Sequence, residues 1–119
     1  MADGIVKEKS KRFALRIVKL YRYLCDDKRE FIMSRQLLRC GTSIGANICE
    51  ADHSMSKKEF IAKMNISLKE AAESEYWLEL LAESDYITQN EFNSMKVDCG
   101  EIKGLLISII KTSNKNLKQ

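Results

Sequence analysis

Not one of the 119 residues is a proline. Proline removes a backbone donor and clashes with the preceding helical turn, so a chain without it can run in long, uninterrupted helices. Many Leu, Lys, Glu and Ala residues push in the same direction, because these lose little on entering a helix. Strands tolerate the lack of proline too, so the spacing of apolar residues has to decide. Phe13, Ile17, Leu20, Tyr21 and Leu24 recur at helical steps and form one stripe. They predict a first helix over about Ile5 to Cys25, ended by the polar pair Asp26-Asp27.

The pattern continues along the chain. A second helix is expected from about Glu30 to His53, with Leu37, Ile44, Ile48 and Ala51 on one face. Ser56 and Glu59 form a capping box, in which each side chain can satisfy the other's free backbone N–H. They open a third helix over about 56–84, whose stripe is Phe60, Met64, Leu68, Ala71, Leu78 and Ala82. Thr88 and Glu91 repeat the box and open a fourth helix over about 88–112. Its apolar face is Phe92, Met95, Cys99, Ile102, Leu106, Ile109 and Ile110. The polar tail, 113–119, is expected to fray. Connections of a few residues force antiparallel neighbours. The expected fold is therefore all-α, an antiparallel up-down-up-down four-helix bundle forming one domain over residues 1–119. Gly41/Gly45 and Gly100/Gly104 are i,i+4 pairs inside helices and are expected to clear paths for close helix approach.

Charge is unevenly spread. Residues 1–40 carry eleven Lys/Arg against five Asp/Glu, and residues 41–85 carry four against nine. Such a split suits a nucleic-acid face, and it equally suits complementary helices within one bundle or between subunits. Cys25, Cys40, Cys49 and Cys99 include no C-x-x-C pair and read as small buried hydrophobes of a reducing compartment. Lys7, Lys9, Lys11 and Arg12 interrupt any signal-like apolar run. The cluster from Leu105 to Ile110 is too short to span a bilayer, so the chain reads as cytoplasmic with no membrane partner.

Two kinds of surface stand out. On the second helix Arg39, Ser43, Asn47 and Glu50 fall within about 80° of arc at roughly 100° per residue. On the third, Ile66, Glu70, Glu73, Trp77 and Leu81 form a stripe turned away from the core face. Arg39 is expected to pair with Glu70 or Glu73 beside Trp77, within the bundle or across a subunit contact; the alternative is an ordinary exposed face. On the first helix Lys9, Arg12, Arg16 and Lys19, joined by Arg22 and Arg35, can hold phosphates, with Tyr21 and Tyr23 as stacking residues. The alternative there is a solvated surface. Cys49 and His53 stand at i,i+4, but zinc wants four ligands and no second pair accompanies them. No nucleophile with an oriented base is visible, so no catalytic residue, metal or cofactor is expected.

The run Leu38-Arg39-Cys40-Gly41-Thr42-Ser43-Ile44-Gly45-Ala46-Asn47-Ile48-Cys49-Glu50-Ala51 resembles the signature of a bacterial family of four-helix-bundle proteins, the 23S rRNA intervening-sequence proteins. The later run Ser67-Leu68-Lys69-Glu70-Ala71-Ala72-Glu73-Ser74-Glu75-Tyr76-Trp77-Leu78-Glu79-Leu80-Leu81 resembles it as well. The likeness covers roughly Phe13 to Ile110. It departs from the family where Gly45 stands in place of a frequent Pro and Ala51 in place of Gly, both near the end of the second helix. The resemblance implies a homo-oligomer, with a pentameric ring the associated arrangement, and carries over no enzymatic activity. The accessory protein of diversity-generating retroelements is a relative, and there a basic surface and contact with a reverse transcriptase are the themes. Two functions stay open. One is an oligomeric scaffold that binds RNA, DNA or a nucleic-acid enzyme; the other is a protein-interaction module that serves assembly alone.

Overall fold

The computed structural model describes residues 4–118. Four helices follow in order: α1 (Gly4–Asp26), α2 (Met33–Ala51), α3 (Lys57–Glu83) and α4 (Gln89–Lys118). Each packs on its neighbour in sequence and α4 closes on α1, and among the described residues the backbones make no close approach along either diagonal. The result is the expected up-down-up-down bundle, a rod of 51 × 22 × 20 Å.

Phe13, Ile17 and Leu24 of α1, Leu37, Ile44 and Ile48 of α2, Met64 and Leu78 of α3, and Ile102 and Leu106 of α4 fill its axis. Leu81 corrects one expectation: it is fully buried and belongs to the core, not to the second stripe of α3. Leu20 and Tyr21 sit at the margin, and Val6 and Ser10 extend the buried face of α1 instead.

Local chemistry explains the helix ends. α2 begins at Met33, later than its apolar pattern suggests, because Glu30 stays outside the helix and caps it. The Glu30 carboxylate accepts from the N–H groups of Ile32, Met33 and Ser34 at 3.1, 3.0 and 2.7 Å. Ser34 returns its hydroxyl to the Glu30 carbonyl at 2.8 Å. The box at Thr88 and Glu91 closes reciprocally, at 3.1 and 2.8 Å. At Ser56 the hydroxyl accepts from Glu59 N–H, while the Glu59 carboxylate reaches one residue further back, to Met55 N–H.

α4 continues to Lys118, past the end expected near 112. No glycine or proline follows Thr112, and Ser113 is buried in the crevice beside Lys57 and Phe60, which anchors the turn around it. Gln119 lies outside the described residues.

The two glycine pairs part company. A Cβ at Gly41 would stand 2.7 Å from Ile17 Cγ1, and one at Gly45 3.2 Å from Ser10 Oγ, so the first pair does bring α1 and α2 together. At Gly100 and Gly104 a Cβ would meet nothing within 4 Å. That pair faces outward and clears no path within the bundle.

Candidate interaction surface

The polar stripe of α2 lies along the α2–α3 seam. Arg39 reaches across it, donating to Glu70 at 3.3 Å and to Glu73. Trp77 Nε1 donates to the same Glu73 oxygen at 2.9 Å, and Tyr76 meets the Trp77 ring edge-on at 5.2 Å. Arg39, Glu70, Glu73 and Trp77 are thus brought together within one chain. Glu50 accepts from Lys63 of α3 at 2.9 Å. Ser43 and Asn47 do not join them, because both donate to their own helix, at Arg39 O and Ser43 O. Spacing puts a residue on a face but is silent on whether a short side chain turns back to its own carbonyls.

The basic residues of α1 divide. Lys9 pairs with Glu101 at 2.6 Å, and Arg16 pairs with Asp98 at 2.5 Å and donates to Ser94 Oγ at 2.9 Å, so both are drawn toward α4. Arg12 pairs with Glu8 on its own helix. Lys19, Arg22 and Arg35 make no ion pair among the described residues. Lys11, outside the basic stripe expected on α1, likewise makes no ion pair among the described residues. Its signal is the step of four to Leu15, which is 61% exposed on the same outward face. Tyr21 and Tyr23 are half-buried on opposite flanks of α1, Tyr23 in the groove toward α4, and so do not form a joint stacking platform.

Two depressions flank α1. A groove of about 600 Å³ opens toward α4, with Leu20, Tyr23, Ile87 and Met95 inside and Arg16 and Lys19 at its rim. A valley of about 490 Å³ opens toward α2 over Ala14, Thr42, Gly45, Ala46 and Cys49. The small side chains and the close approach at Gly45 make this valley. On the far corner of the bundle the outward side of α3 is partly apolar. Ile66 and Tyr76 are 42% and 56% exposed, and Ala62, Ala72 and half-buried Leu80 stand with them on the outward side.

Little reactive chemistry gathers on these surfaces. His53 is exposed at the α2–α3 turn, and among the described residues no three His, Cys, Asp or Glu side chains are placed to hold a metal. Burial pushes the Cys40 thiol up to about 11 and the Cys99 thiol to about 12, away from nucleophilic use near neutral pH. Cys49 corrects the expectation of a buried thiol, because it lies on the open edge of α2 and is exposed. No helix among the described residues is long and apolar enough to cross a membrane.

A crystal structure of a protein with unknown function from the S23 ribosomal protein family, from Bacteroides thetaiotaomicron VPI-5482, is 57% identical and superposes with a TM-score of 0.91. The match covers 93% of this chain and 99% of that one. No curated protein gives a significant match. The model of the 23S rRNA-intervening sequence protein family matches residues 2–108, and the chain belongs to that family.

Proposed function

We propose that this protein is a non-enzymatic, self-associating bundle, a scaffold whose work is done by its outer helix faces. The observation that carries this reading is the outward side of α3. A lone bundle keeps that side polar, yet here Ile66 and Tyr76 are exposed on it. A ring of five copies is the size the family resemblance leads us to expect, and the four free thiols suit a reducing cytoplasm. Mass measurement at micromolar concentration tests the reading. The expected result is a multiple of the 13.7 kDa chain, and a single species of 13.7 kDa overturns it.

Nucleic-acid binding is the second reading, favoured by Lys11, Lys19, Arg22 and Arg35, cations without an ion pair among the described residues, and by the ribosomal-RNA association in the family's description. Lys9, Arg12 and Arg16 contribute less to it, because carboxylates already face them. Filter binding of an RNA duplex and a single strand at low and high salt separates the two readings. Retention that falls steeply with salt supports nucleic-acid binding. No retention at low salt leaves the assembly module alone.

A further inference from the structure

We infer that the α1–α2 valley of one copy receives the outward ridge of α3 from the next copy, giving a head-to-tail contact between parallel bundles. It rests on the self-association reading above and names the two faces that meet.

The faces match in shape and polarity. The valley is floored by Ala14, Thr42, Gly45 and Ala46 and edged by exposed Lys11 and Cys49. The ridge offers Ala62, Ile66, Tyr76 and Leu80. Tyr76 is braced against Trp77, which Glu73 holds, so the ridge is a firm surface with little left to order on docking.

The charges match as well. Among the described residues Arg22 and Arg35 stand without an ion pair above the valley, on the same α1–α2 side of the rod, and Glu79 and Glu83 without one at the upper end of the ridge. Their heights agree, because α1 ends, α2 begins and α3 ends at the same end of the rod. At about 1.5 Å per residue, Arg22 and Glu79 both lie about 6 Å from that end, and Arg35 and Glu83 within about 3 Å of it. Lower down, Cys49 in the valley and Ile66 on the ridge both lie about 25 Å from it. Lys69 on the ridge comes nearest in height to Lys11, with Glu8 about one turn below, so the attraction resides in the upper half.

Topology decides the kind of contact. α3 stands at the corner diagonal to α1, so valley and ridge open toward different sides of the rod. Rotation about an axis parallel to the rod keeps successive copies level and brings valley to ridge each time, which is how a closed ring forms. A two-fold contact of valley on valley about an axis parallel to the rod would set Arg22 and Arg35 against their own copies, and one about a perpendicular axis would carry them away from Glu79 and Glu83.

Exposed charges can be exchanged without touching the core, which gives a direct test. The valley variant Arg22→Glu/Arg35→Glu and the ridge variant Glu79→Arg/Glu83→Arg are each expected to weaken self-association at least tenfold. Combining all four substitutions in one chain restores complementarity and is expected to recover the wild-type mass. Circular dichroism confirms that each variant is folded. Half-swapped variants that keep the wild-type mass, or a folded four-fold variant that stays dissociated, overturn the inference. An independent arm uses Cys49, which is exposed. In the Ile66→Cys variant mild oxidation is expected to link successive copies into a ladder, lost in Cys49→Ser/Ile66→Cys; no ladder from an assembled variant also overturns the contact. A wild-type chain that is monomeric ends the self-association reading itself, a result distinct from any of these.

Discussion

Cys49 is exposed on α2, whereas Cys40 and Cys99 are fully buried and their thiols are pushed up to about 11 and about 12. Labelling with a thiol reagent at pH 8 is therefore expected to modify Cys49 rapidly, and Cys40 and Cys99 only on unfolding. Peptide mapping after timed quenching checks the order. Glu30 makes a pH-dependent contribution. Burial alone would raise its pKa, but the N–H groups of Met33, Ser34 and Ile32 and the Ser34 hydroxyl outweigh that and hold it below the ordinary 4.5. A carboxyl lowered on folding stabilises the protein above its unfolded pKa and stops doing so as pH falls through the folded value. Glu30→Gln is expected to cost about 1 kcal/mol at pH 7, the usual worth of a lost cap. The gap from wild type should close in acid, as urea melts at pH 7 and pH 3 will show. Arg39 is half exposed, so Arg39→Ala should cost no more than about 1 kcal/mol. It also frees the Glu73 oxygen that Trp77 shares, and tryptophan emission should change with it.

At the scale of elements, what is legible in the sequence and what is hidden follow from the range of each interaction. Helix type and order are readable because an apolar stripe at period 3.6 and a capping box are local. The start of α2 is not, since Glu30 caps it through a turn in which Arg29 takes a φ of 55°, and no periodicity reports a turn. Spacing anticipates the pairing of Arg39 with Glu70 or Glu73, but leaves open whether it joins helices of one chain or of two. The glycines show the same limit. Gly41/Gly45 and Gly100/Gly104 look alike as i,i+4 pairs, and only packing tells them apart. Their substitutions should carry opposite signs. Gly41→Ala sets a Cβ 2.7 Å from the branched, fully buried side chain of Ile17 and is expected to cost about 1–3 kcal/mol. Gly100→Ala and Gly104→Ala meet nothing within 4 Å, and each should gain up to about 1 kcal/mol from helix propensity. Thermal melts of the three variants check both signs.

For the whole molecule, the connectivity and the missing proline constrain how it folds. Three of the four seams join helices adjacent in sequence, and only the α1–α4 seam needs the ends of the chain to meet. Such a bundle has low contact order, which places folding in the microsecond-to-millisecond range. Slow phases in small domains usually come from X–Pro isomerisation, over roughly 10–100 s, or from disulfide exchange. This chain has no proline and four free cysteines, so both sources are absent. Any slow step must then be association between copies, and a bimolecular step speeds up with protein concentration whereas isomerisation does not. Refolding from urea, followed by the single tryptophan on α3, should show one fast exponential at every concentration. A second phase, if copies assemble around Trp77's neighbours on the α3 ridge, should accelerate in proportion to concentration. A slow phase lasting tens of seconds and indifferent to concentration would contradict both the simple topology and the assembly step.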